Sequence, residues 1–143
     1  MNSQKRMRRV AKVQNLERAL RRAEMLAASQ KRSEAATSVV VAERAVHDAE
    51  QELTALRERS AEDFVTQSGI LRVERGKASV AHSDLDDSEE MLRLSEDAHR
   101  ESGKKALATE KMLAREVDRA AYEAARREQA EIDDMVAQRT GRE

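Results

Sequence analysis

The chain has 143 residues with no Pro, no Cys and no Trp, one Phe and one Tyr, and 38% of its residues are charged. Too little bulky side-chain volume remains for a broad globular core, and without cysteine there is no disulfide scaffold; Ala, Glu, Arg, Lys, Leu and Gln are instead the strong helix formers of long, paired helices. A net charge of −1 argues against a generic nucleic-acid binder, and no apolar run approaches the roughly 20 residues needed to span a bilayer.

The charge is unevenly spread. Residues 1–32 hold ten Lys or Arg against two acids, Glu17 and Glu24. Residues 33–101 hold 17 acids against eight bases, and the remainder has nine of each. The absence of Cys fits a reducing compartment, no signal-peptide core follows the basic start, and the plain expectation is a soluble cytoplasmic protein.

The first helix is expected from about Gln4 to Asp63. Its clearest stretch is Val39, Ala42, Val46, Ala49, Leu53 and Leu56, spaced alternately three and four with charged residues between them. That is the seam of a coiled coil. An earlier run, Val13, Leu16, Leu20, Ala23 and Ala27, has the same spacing but extrapolates to Val41, so a register slip is expected between Ala28 and Ala36. The expected turn lies within 64–76, where the one Phe, β-branched residues and Gly69 come together and Gly76 offers a second break.

The second helix is expected over about 77–139, with apolar positions at Ala78, Ala81, Leu85, Leu92, Leu113, Val117, Ala120 and Ala124. Ser88, Ser95, Ser102 and Gly103 weaken its seam, and Ala121, Ala125, Glu128, Ile132 and Met135 continue the spacing to the end. The expected fold is therefore all-α, a long antiparallel two-helix coiled-coil hairpin in one domain. A turn near Gly69 sets Leu53 near Val80, Val39 near Leu94 and Leu20 near Leu113. Alanine layers bury little area, so at roughly 25 cal/mol per Å² each stabilises weakly, and a hairpin of this kind is often completed by a partner.

Few residues offer chemistry. His47, His82 and His99 lack the spacing of a helical metal site; His82 and Asp86 form only an isolated i, i+4 pair. The cluster Asp84, Asp86, Asp87, Glu89 and Glu90 lacks the glycine-centred loop that folds ligands around calcium, which leaves a solvated face or the landing site of a basic partner. There is no phosphate loop, no nucleophile elbow and no Cys/His arrangement, so neither cofactor, metal nor enzymatic activity is expected. The basic stretch Lys5-Arg6-Met7-Arg8-Arg9-Val10-Ala11-Lys12 has no aromatic neighbours for base stacking, which disfavours nucleic acid. Such a cluster can contact phosphates, an anionic membrane surface or protein carboxylates; it either solvates the first turns or, concentrated beside a charge-balanced C-terminal helix, suits an acidic protein cavity.

The two ends, RRVAKVQNLERALRRAE at Arg8–Glu24 and ARREQAEIDDMVAQR at Ala125–Arg139, resemble the FliJ/YscO family, the small coiled-coil stalk proteins of flagellar and injectisome type III export. The resemblance covers about 35 residues at the termini together with the hairpin architecture. It implies that paired terminal helices enter the pore of a hexameric export ATPase and bridge it to a membrane export-gate protein, with export chaperones as further partners. It also implies a cytoplasmic location at the inner-membrane secretion apparatus, without insertion into the membrane. By carry-over, Arg8, Arg9, Lys12, Arg126, Arg127 and Arg139 are the ring contacts, and Phe64, Val65, Ile70 and Leu71 face the gate. The family's C-terminal half is often rich in Lys, Arg and Trp, whereas this one is charge-balanced and has no Trp. The alternative is a general coiled-coil scaffold or chaperone-like adaptor.

Overall fold

The computed structural model describes residues 2–56 and 60–141, and among them the fold is all-α, a hairpin of two long helices with no strand. Helix α1 is Asn2–Ala55 and helix α2 is Ala61–Thr140. No described helix is long and apolar enough to cross a membrane.

The turn lies earlier in the chain than its glycines suggest. Phe64 to Gly76, expected to hold it, is continuous α-helix inside α2. Neither Gly69 nor Gly76 has positive φ, and a glycine inside a helix costs only about 1 kcal/mol relative to alanine, which neighbouring helical residues outweigh. The signal that governs the boundary is Ser60. Its Oγ accepts a hydrogen bond from the Asp63 amide at 3.3 Å, its carbonyl accepts the Phe64 amide at 3.2 Å, and Glu62 and Asp63 occupy the first turn. A serine cap followed by two acids satisfies an otherwise orphaned amide and complements the positive end of the helix dipole. The first helix was expected to run on to Asp63; its described part closes at Leu56, whose amide reaches Glu52 O at 3.1 Å, and Arg57, Glu58 and Arg59 lie outside the described residues. Ser60→Ala should cost about 1 kcal/mol of stability, read as a lower urea midpoint at unchanged slope.

The described residues fall into two compact units, 20–99 and 2–19 with 100–141. In the first, the seam of α1 is Met25, Ala28, Ala35, Val39, Ala42, Val46, Ala49, Leu53 and Leu56, all buried or half-buried. Arg32 takes the position between Ala28 and Ala35 and reaches across to Glu89 at 3.4 Å. The alternation of three and four thus passes from Ala28 to Val39 without the expected slip. The facing seam of α2 is Gln67, Leu71, Glu74, Ala78, Ala81, Leu85, Ser88, Leu92 and Ser95. Gln67 donates to Glu52 at 3.2 Å, Arg75 pairs with Glu50 at 3.0 Å and His82 with Glu43 at 2.9 Å. These crossings fix an antiparallel pairing different from the one expected: Val39 falls between the Glu43–His82 and Arg32–Glu89 levels, while Val80 and Leu94 are exposed. An earlier turn shifts every partner. Because Ala28, Ser88 and Ser95 are small, a shallow groove runs beside them, rimmed by Glu24, Lys31 and Asp87.

Candidate protein-interaction site

The second unit brings the beginning of α1 beside the later part of α2. Gln4, Met7, Ala11 and Gln14 are half-buried on α1, facing a seam of Ser102, Ala106, Thr109, Leu113 and Glu116 on α2. Ala106 is the most enclosed of the described residues, 1% exposed. Gln4 Nε2 donates to the Glu116 carbonyl at 3.4 Å, and the side chain of Arg18 lies over Gly103. Leu113 therefore stands near the level of Met7, away from its expected partner Leu20. The apolar run expected to form the N-terminal seam faces outward: Val13 is 63% and Leu16 72% exposed. Apart from Met7 and Leu113, small and polar side chains fill this seam, while Val13 and Leu16 lie outside it.

Beyond Glu116, α2 outruns α1. Every residue from Val117 to Gly141 is exposed, a lone helix of about 24 residues and roughly 36 Å at 1.5 Å per residue. Arg119 pairs with Glu123 at 3.2 Å, and Gln129 bonds Asp133 at 2.9 Å, each one helical turn apart. Continuing the hairpin's own seam beyond Glu116 selects Ala120, Glu123, Arg127, Ala130 and Asp134, a mostly polar row. The apolar residues Ala121, Ala125, Ile132 and Met135 lie on a different face, one or two positions and so roughly 100° or more around the helix. The stripe expected to prolong the intramolecular seam is a separate surface.

All six expected ring contacts belong to this unit and are exposed, and among the described residues none of them is held in an ion pair. They do not form one patch. Arg8, Arg9 and Lys12 flank the paired part, whereas Arg126 and Arg127 lie about 15 Å beyond Glu116 along the overhang and Arg139 about 35 Å beyond it.

The expected gate-facing residues lie in the unit formed by 20–99, on the first turns of α2. Phe64, Val65 and Ile70 are exposed there, but Leu71 is 6% exposed and packs in the seam. Leu71 is therefore a core residue and is withdrawn from that surface; its heptad position puts it on the face toward α1.

In the acidic cluster, Arg32 pairs with Glu89 across the hairpin and Arg93 with Glu90 along α2. The hydrogen bond from Arg93 holds the Glu90 carboxyl below its ordinary pKa. His82 bonds Glu43 on the opposite helix in place of its expected neighbour Asp86. Among the described residues, no three His, Asp or Glu side chains converge as a metal-binding group. Sequence reading missed the outward placement of Val13 and Leu16; the signal that could have found it is the uninterrupted three–four phase extending backward from Val39. No family profile, curated protein or solved structure matches the chain.

Proposed function

We propose that this chain is a non-enzymatic stalk component of a type III protein export apparatus, inserting its terminal helices into a hexameric export ATPase and coupling that ring to a membrane export gate. The observation that carries the reading is the overhang of α2. It is one helix wide, about 10–12 Å with side chains, and it presents Arg126, Arg127 and Arg139 free of ion pairs among the described residues, with Arg8, Arg9 and Lys12 flanking its base. A helix of that width fits a central pore, and unpaired guanidinium groups suit carboxylates lining it. The resemblance of Arg8–Glu24 and Ala125–Arg139 to the FliJ/YscO ends supplies the identity of the ring. Phe64, Val65 and Ile70 remain the surface offered to the gate.

The test is stimulation of a purified export ATPase hexamer. Arg126→Glu/Arg127→Glu and Arg8→Glu/Arg9→Glu/Lys12→Glu variants should keep their helical circular dichroism and need a concentration roughly ten-fold or more higher for stimulation, since opposed charges at an interface become like charges. Unchanged stimulation by both variants would sink the ring assignment.

The second reading, a coiled-coil scaffold or adaptor, is favoured by the outward apolar residues Ile70, Val73, Val80, Met91 and Leu94 on α2, which suit the face of another protein's helix. A tight complex made through those residues, with no effect on any ATPase, would select it.

A further inference from the structure

Two unpartnered apolar surfaces lie in the unit that contains both ends of the chain, and they are opposite in charge. On α1, Val13 and Leu16 face outward, and Lys5, Arg6, Arg9 and Lys12 precede them on the outer side of the helix. On the overhang of α2, Ile132, Met135 and Val136 are exposed, and residues 128–138 around them carry Glu128, Glu131, Asp133 and Asp134 with no base. They cannot cover each other within one chain. Glu116 lies beside Gln4, so the overhang runs away from the α1 segment that bears Val13 and Leu16.

We infer that the occupant of each surface is the other, supplied by a second copy of this chain in a closed two-fold dimer. In it, the acidic stretch 128–138 of one protomer's overhang, which lies between Arg127 and Arg139, runs along the basic outer face of its partner's α1, and the contact is made twice. The lengths are compatible: the overhang of about 24 residues is longer than the roughly 16 residues from the start of α1 to just past Leu16, so Ile132 and Met135 can reach the level of Val13 and Leu16 while the base of the overhang stays clear of the partner. A two-fold arrangement closes, so the association stops at two. It buries Val13, Leu16, Ile132 and Met135 together and sets carboxylates against Lys and Arg, whereas pairing the two overhangs with each other would leave Val13 and Leu16 uncovered. The inference does not rest on the export reading; Arg9, Lys12 and the overhang belong to both surfaces, so dimer and ring-bound form are alternatives, and the test therefore uses Lys5 and Arg6, which are not among the candidate ring contacts.

The experiment is sedimentation equilibrium of the full chain over a wide concentration range, with circular dichroism as the check on folding. The wild type should be a concentration-dependent dimer. Leu16→Glu and Ile132→Glu should each weaken dimerisation by roughly ten-fold or more at unchanged helicity, because both side chains are exposed in the single chain. Lys5→Glu/Arg6→Glu should weaken it too, and adding Glu128→Lys/Glu131→Lys should recover most of the loss. A wild type that stays monomeric throughout overturns the inference. So does a dimer that Ile132→Glu disrupts and Leu16→Glu leaves intact, which would mean overhang pairing with overhang. ATPase stimulation that persists in Leu16→Glu while the dimer is lost separates this contact from the ring.

Discussion

Replacing Gly69, Gly76 and Gly103 together with alanine should stabilise the hairpin by about 2–3 kcal/mol, raising the urea midpoint without changing its slope. All three lie inside α2 with no positive φ. A Cβ added at Gly69 or Gly76 meets nothing within 4 Å, and one at Gly103 touches only Arg18 Nε at 3.8 Å, an ordinary van der Waals distance. Each glycine gives up roughly 0.8–1 kcal/mol relative to alanine in a helix interior. Gly69 and Gly76 are two turns apart, roughly 10 Å, and Gly103 is farther along the helix, so the gains should nearly add. The sign is the discriminating part. Had the chain turned at Gly69 or Gly76 through a left-handed residue, alanine there would destabilise, and a fall in midpoint for either single variant would restore the turn to that segment.

At protein concentrations low enough to keep the chain monomeric, Leu71→Ala should cost about 2 kcal/mol, the low end for a buried leucine because the seam around it is shallow, while Leu16→Ala should stay within about 0.5 kcal/mol. Leu71 is the largest apolar side chain among the buried core residues, whose other apolar members are Ala28, Val39, Ala49 and Ala106. Its removal leaves a gap in the seam beside Leu53. Leu16, with most of its surface in water, leaves none. Equal losses for the two variants would mean that the N-terminal apolar run is packed after all and that the seam has been placed on the wrong face of α1.

The comparison of those two leucines also shows what the sequence made legible. From Val39 to Leu56 every seam position is apolar, and from Ala42 to Leu53 most of the residues between seam positions are charged or polar, so pattern and packing coincide. On α2, Ala78, Ala81, Leu85, Leu92 and Leu113 were readable for the same reason, and Ser88, Ser95 and Ser102 follow once the phase is known. The first half of α1 was not, because two stripes compete there and the more hydrophobic one loses. Gln4, Met7, Ala11 and Gln14 form the seam since they stay in phase with Val39–Leu56, and the opposing row on α2 runs from Gln67 to Glu116 without a slip. A slip in one helix without a matching one in the other would rotate its face out of contact. Hydrophobicity alone therefore pointed to the wrong residues, and the phase of the partner helix decided. The turn was misread for a related reason: glycine marks where a chain is permitted to bend, while the serine cap at Ser60 marks where this one starts again. The six basic candidates were legible as residues, but the distance of Arg126, Arg127 and Arg139 from Arg8, Arg9 and Lys12 depends on how far α2 outruns α1, which no local pattern encodes.

That difference in length has a kinetic consequence. Nothing in the hairpin is buried against residues 117–140, so this stretch opens and recloses at no cost to the rest of the fold. In the monomeric chain its amides should exchange with solvent far faster than those of Ala49 or Ala106, as expected where helical hydrogen bonds have no packing to protect them. Capture by any partner then includes the ordering of the segment itself, and a loosely held helix is released as readily as it is gripped. For a contact that must be made and broken repeatedly, a finger that stores no folding energy is the cheaper one to exchange.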